Sequence, residues 1–117
     1  MIVVRIIMNV LPEKQKEVMQ TLLSMVESPV KDTRYLSFGI FCDIEDKNVF
    51  NLISEWETRE DLDNHIKSYR FSVLLGTKSL LCEPPQIVIH TVSQSEGMEA
   101  VDAVRRKRTR QIPNHKK

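Results

Sequence analysis

Residues 55–71 read Glu55-Trp56-Glu57-Thr58-Arg59-Glu60-Asp61-Leu62-Asp63-Asn64-His65-Ile66-Lys67-Ser68-Tyr69-Arg70-Phe71, and they join a strand-like run to a helix-like one. Trp56, the chain's only tryptophan, closes a run rich in β-branched and aromatic residues. Thr58 can cap the helix that follows, with Asp61 three residues on approximating a capping box. Leu62 and Ile66 mark the buried side of that helix, and His65 sits beside them. Ser68 offers a second cap, leading into Phe71, Leu74, Leu75 and Leu81, with Gly76 weakening the middle of the run. A flat aromatic and a titratable ring are therefore expected near one strand-to-helix junction.

Working outward, residues 2–10 alternate, with Ile2, Val4, Ile6, Met8 and Val10 on one face and Val3, Arg5, Ile7 and Asn9 on the other. This pattern predicts a strand. Pro12 and Glu13 suit the first turn of a helix carrying Val18, Leu22, Met25 and Val26, which Ser28-Pro29 should stop. Residues 34–43 and 48–56 predict a hairpin across the polar link 44–47. After Pro84-Pro85, residues 86–93 alternate as a last strand. The order β-α-β-β-α-β predicts an α+β, ferredoxin-like split βαβ domain over residues 1–95, followed by a tail over 96–117. Such a fold leaves one sheet face bare. If about five apolar side chains faced water there, at roughly 1.5–3 kcal/mol each, the loss would be on the order of 10 kcal/mol. That is comparable to the stability of a whole small domain. A homodimer closing the two sheets into a dimeric α/β-barrel is expected.

With 117 residues, 41% hydrophobic and 28% charged, the chain has the composition of one globular domain. No apolar run approaches the roughly 20 residues of a membrane span, and the first ten residues lack the features of a signal peptide. A cytoplasmic protein with no membrane partner is expected. Cys42 and Cys82 fit no metal or redox spacing, which predicts two reduced, semi-buried thiols. His65, His90 and His115 are unclustered, and Gly39, Gly76 and Gly97 form no phosphate loop, so neither a metal nor a nucleotide or flavin cofactor is indicated. Seven basic residues crowd the last thirteen positions against a net charge of +1, so the remainder carries one minus seven, a net −6. Met98, Val101 and Val104 predict a short helix before a basic, disordered end, and a nucleic-acid partner is not expected.

The element order, the strand ending in Glu55-Trp56, the capped Thr58-Arg59-Glu60-Asp61-Leu62, and His65 followed by Ser68 and Phe71 resemble the antibiotic biosynthesis monooxygenase family. The resemblance spans roughly residues 1–92 and is strongest over 50–81. It implies a fold shared by cofactor-free quinol oxygenases, haem-degrading enzymes and an isomerase of a signalling sugar. Two positions depart from the family's patterns. Thr33-Arg34-Tyr35-Leu36 stands where quinol oxygenases usually carry Gly-Cys, and Ile7 stands where haem-degrading members place an Asn.

The resemblance implies a monooxygenase that needs no cofactor and acts on a small, flat quinol-like or polyketide-like molecule. His65 is then the candidate base, since imidazole titrates near neutral pH, and Trp56 a stacking surface. Asn9, Asn51 and Tyr69 are candidates to orient substrate oxygens, and Phe38, Phe50 and Phe71 to wall the pocket. Arg5 would hold an anionic substrate, or else pair with Glu55 or Glu57. Two alternatives stay open: a non-catalytic domain that binds or senses a small molecule, and a haem-binding or haem-degrading protein.

Overall fold

The computed structural model of the chain describes residues 1–27 and 34–111. Strand β1 (Ile2–Asn9) is the hub. Ile2, Val4, Ile6 and Met8 are buried, whereas Arg5 is exposed and Val3, Ile7 and Asn9 are half-buried. A 3₁₀ turn at Pro12–Lys14 leads into α1 (Gln15–Glu27), which buries Val18, Leu22 and Met25. Its predicted stop at Ser28-Pro29 lies outside the described residues, as do Thr33 and residues 112–117. Strands β2 (Tyr35–Cys42) and β3 (Val49–Trp56) form the hairpin, followed by α2 (Arg59–Ile66), α3 (Tyr69–Gly76), a 3₁₀ turn at Thr77–Leu80, β4 (Gln86–Thr91) and α4 (Met98–Gln111).

All sheet neighbours are antiparallel, in the order β2-β3-β1-β4. Ile2 pairs with Trp56, Val4 with Ser54, Ile6 with Leu52 and Met8 with Phe50. Because strand side chains alternate, this register puts the even-numbered residues of β1 and β3 on one face. That face meets Val18 and Leu22 of α1, Leu62 of α2 and Phe71 and Leu74 of α3 to form one apolar core. The architecture is the α+β, ferredoxin-like one expected.

Three features differ from the expectation. Gly76 ends the helix that Ser68 caps instead of lying in its middle. The thiols of Cys42 and Cys82 are free but exposed rather than semi-buried, since Cys42 closes β2 and Cys82 lies in the loop before β4. Helix α4 runs on through the basic cluster, and its residues 101–107 are exposed. The molecule measures 60 × 34 × 22 Å with a radius of gyration of 19.3 Å, against roughly 13 Å for a compact chain of this length.

Candidate functional site

Two side-chain caps build the site. Thr58 Oγ1 accepts the Asp61 backbone N–H at 3.1 Å and starts α2; Ser68 Oγ accepts the Phe71 N–H at 3.2 Å and starts α3. Ser68 Oγ also donates to the His65 carbonyl at 2.6 Å. One serine thus ties the end of α2 to the start of α3. The bend between them brings His65, from the last turn of α2, beside Arg70 and Phe71 from the first turn of α3.

The imidazole is held between two rings. Its centroid lies 4.8 Å from that of Trp56, tilted by 31°, and 5.4 Å from that of Phe71, edge-on at 82°. Among the described residues its ring nitrogens make no hydrogen bond. Burial, and then the charge of Arg70, push its pKa below the ordinary 6.5. The C-terminal end of a helix would favour the cation, so burial and Arg70 outweigh the dipole here. At neutral pH the ring is uncharged and able to accept a proton.

Two small cavities meet at His65. One, of ≈ 20 Å³, lies between the sheet and helices α2 and α3, with apolar walls that include Phe38, Leu62 and Phe71, and with Ser54 as its one hydroxyl. The other, of ≈ 10 Å³, lies toward α1 and is lined by Met25, Val26, Tyr35, Phe38, His65 and Arg70. Each has room for about one water. Phe38, half-buried, and His65 are common to both linings, so the two cavities adjoin there.

Trp56 stands behind the site. It is 0% exposed, lines neither cavity, and donates its indole N–H to Ser54 Oγ at 2.8 Å. The ring stacked upon it is His65. Of the other candidates, Phe38 and Phe71 join His65, and the remainder lie elsewhere. Arg5, Asn9 and Asn51 occupy the opposite sheet face, since they are odd-numbered members of β1 and β3. Arg5 forms no ion pair among the described residues; Glu55 instead accepts from Ser37 Oγ at 2.6 Å, and Asn9 Nδ2 donates to Glu83 at 2.6 Å. Phe50 is buried on the core face, but it pairs with Met8, six residues along β3 from Trp56 and so roughly 20 Å away. Tyr69 is 82% exposed.

Three polar lining residues were not among the sequence candidates: Ser54, Tyr35 and Arg70. Ser54 had a signal, because it lies two residues before Trp56 and so on the same face. Tyr35 reaches the site through a β-bulge, and Arg70 through the α2–α3 bend, neither of which has a period to read. Among the described residues, no three His, Cys, Asp or Glu side chains gather into a metal-binding group, and no helix is long and apolar enough to cross a membrane.

Comparison with known proteins agrees with this fold. A solved antibiotic biosynthesis monooxygenase superposes with a TM-score of 0.72 at 22% identity, covering 80% of this chain and 100% of its own. A conserved protein from Methanosarcina mazei Go1 gives 0.70 at 27% identity, covering 76% and 89%. The Rv0793 protein of Mycobacterium tuberculosis gives 0.72 at 14% identity, covering 82% and 98%. Identities of this order carry the fold. A search of curated proteins finds no match. The family description "Antibiotic biosynthesis monooxygenase" matches residues 1–74, well over half of the sequence and every element up to α3. The chain belongs to the antibiotic biosynthesis monooxygenase family.

Proposed function

We propose that this chain is a monooxygenase that oxidises a flat, oxygenated aromatic, of quinol or naphthol type, without a bound cofactor. The observation that carries the reading is His65: a neutral imidazole whose nitrogens are unbonded among the described residues, set against Trp56 and Phe71 where two cavities adjoin. A base in that position takes the hydroxyl proton of the substrate. The resulting phenolate is electron-rich enough to react with dioxygen. In the overall reaction a ring C–H carbon becomes a carbonyl, one oxygen atom enters it and the other leaves as water. The substrate supplies all four electrons, so no external reductant is needed.

The other residues have supporting parts. Ser54 Oγ accepts from Trp56, which leaves its own proton for a substrate oxygen. Trp56 acts through His65, as a positioning residue. The two cavities are each too small for an aromatic ring, and the substrate enters by displacing Phe38, which merges them. We infer further that two copies pair through the bare sheet face, where Val3, Ile7, Ile53 and Val88 are half-buried and Phe41 is 54% exposed.

The test is oxygen uptake with a panel of quinols and naphthols. The expected result is turnover that His65→Asn lowers by roughly 10²–10⁴-fold, the usual worth of a positioned general base. Tight binding with no turnover would replace the reading with that of a binding or sensing domain. Turnover unaffected by His65→Asn would remove the imidazole from the mechanism.

A further inference from the structure

The ≈ 10 Å³ cavity differs in chemistry from its neighbour. It has Arg70 and the phenol-bearing Tyr35 in its wall, whereas the ≈ 20 Å³ cavity offers one hydroxyl and the shared imidazole among apolar side chains. Its size suits a small polar group rather than a ring. The two volumes touch at His65. Merged by movement of Phe38, they form a slot that is apolar at one end, basic in the middle and cationic at the other.

We propose that the substrate is an aromatic anion, a hydroxylated ring bearing a carboxylate, with its ring between Phe38 and Phe71 and its carboxylate held by Arg70. This rests on the reading of the site as an aromatic pocket and adds the class of molecule that fills it. A guanidinium carries five N–H donors in a fork that matches a carboxylate, so Arg70 can keep a contact within the protein and still offer a face to the ligand. Arg70 and His65 line the same ≈ 10 Å³ cavity, so a group seated there meets both, in keeping with the downward push that Arg70 gives the pKa of His65. When His65 removes the hydroxyl proton, the ligand gains a second negative charge, and a fixed cation in a partly dry slot stabilises it. Arg70 is thus a specificity-determining residue, and the discrimination it gives follows from charge-assisted hydrogen bonding.

The experiment measures binding of a hydroxynaphthoate and of the corresponding naphthol, followed through the fluorescence of Trp56, the sole tryptophan and the ring against which His65 lies. Wild type is expected to bind the hydroxynaphthoate about 10- to 100-fold tighter. Arg70→Gln should abolish that preference while leaving naphthol affinity within about twofold, which also shows that the variant is folded. Arg70→Lys should retain part of the preference. Lys67→Gln, which removes an exposed charge from the same bend, should keep all of it. Equal wild-type affinity for the two probes, or a preference surviving in Arg70→Gln, would overturn the assignment while leaving the aromatic pocket intact. Failure of both probes to bind would overturn the pocket, and this inference with it.

Discussion

Replacing Ser54 by alanine removes the acceptor of the Trp56 indole N–H, a bond of 2.8 Å between two buried residues. A buried donor left without a partner costs about 1–3 kcal/mol. Here the lower half of that range is expected, because Ser54 lines the ≈ 20 Å³ cavity and a water there can take the orphaned proton. Trp56→Phe loses packing instead. Complete truncation of a buried tryptophan costs about 3–5 kcal/mol, and retaining a phenyl ring should limit the loss to about 2. The double variant misses no hydrogen bond that Trp56→Phe has not already lost. The two changes should therefore sum to about 1 kcal/mol more than the double variant costs. Urea unfolding followed by far-ultraviolet circular dichroism at one fixed protein concentration measures all four species, including those without tryptophan. A coupling inside the additivity error of roughly 0.3–0.5 kcal/mol would refute the hydrogen bond as the link between strand and imidazole.

Four further outcomes are expected. The acid limb of kcat/KM should fall at a pKa below 6.5, and Arg70→Gln should move it upward without reaching 6.5, since burial is the larger cause and remains. The same depressed pKa means that the unfolded chain binds the proton more readily, so stability is fully present above pH 6.5 and declines as pH falls through the folded value; His65→Leu should flatten that decline in pH-dependent unfolding. Thr58→Ala and Ser68→Ala should each cost about 1 kcal/mol as lost caps, but only Ser68→Ala, which also removes the side-chain donor to the His65 carbonyl and leaves the Ser68 backbone N–H, should weaken ligand binding several-fold. Phe41→Glu should shift sedimentation from dimer to monomer, whereas a wild-type monomer at micromolar concentration would remove the proposed face-to-face pairing.

The features legible in the sequence are those with a period or a local chemical signature. The alternation of residues 2–10 placed Ile2, Val4, Ile6 and Met8 in the core, and Thr58 and Ser68 cap the helices they were expected to cap. Once Trp56 faces the helices, Ser54 must face them too, and Asn51 must face away; the antiparallel register with β1 then sends Arg5 and Asn9 to that same far side. Composition alone groups Asn9, Asn51 and Arg5 with His65 as polar residues near the right elements. Sheet geometry separates them. The extent of α4 was hidden for another reason: its moderate apolar stripe ends at Val104, yet Arg and Lys are good helix formers and carry the helix onward.

The bulge in β2 shows how one irregularity can determine the chemistry of a site. Phe38 pairs with Ser54 in the regular ladder, and continuing that register would place Leu36 opposite Trp56. The extra residue between Tyr35 and Ser37 instead puts Tyr35 opposite Trp56, while Leu36 is left 54% exposed. Bulges bend the bulged strand and re-aim its side chains. Here the effect is to exchange an aliphatic side chain for a phenol at the cavity that also holds Arg70. The Tyr35 ring then lies 5.7 Å from Phe38 and meets Trp56 edge-on at 6.0 Å, so the ring shared by both linings, the imidazole support and the polar end of the slot form one aromatic cluster. A change that moves Phe38 is felt by Tyr35 directly and reaches His65 through Trp56. Admitting a ligand past Phe38 and orienting the base are therefore coupled by contact.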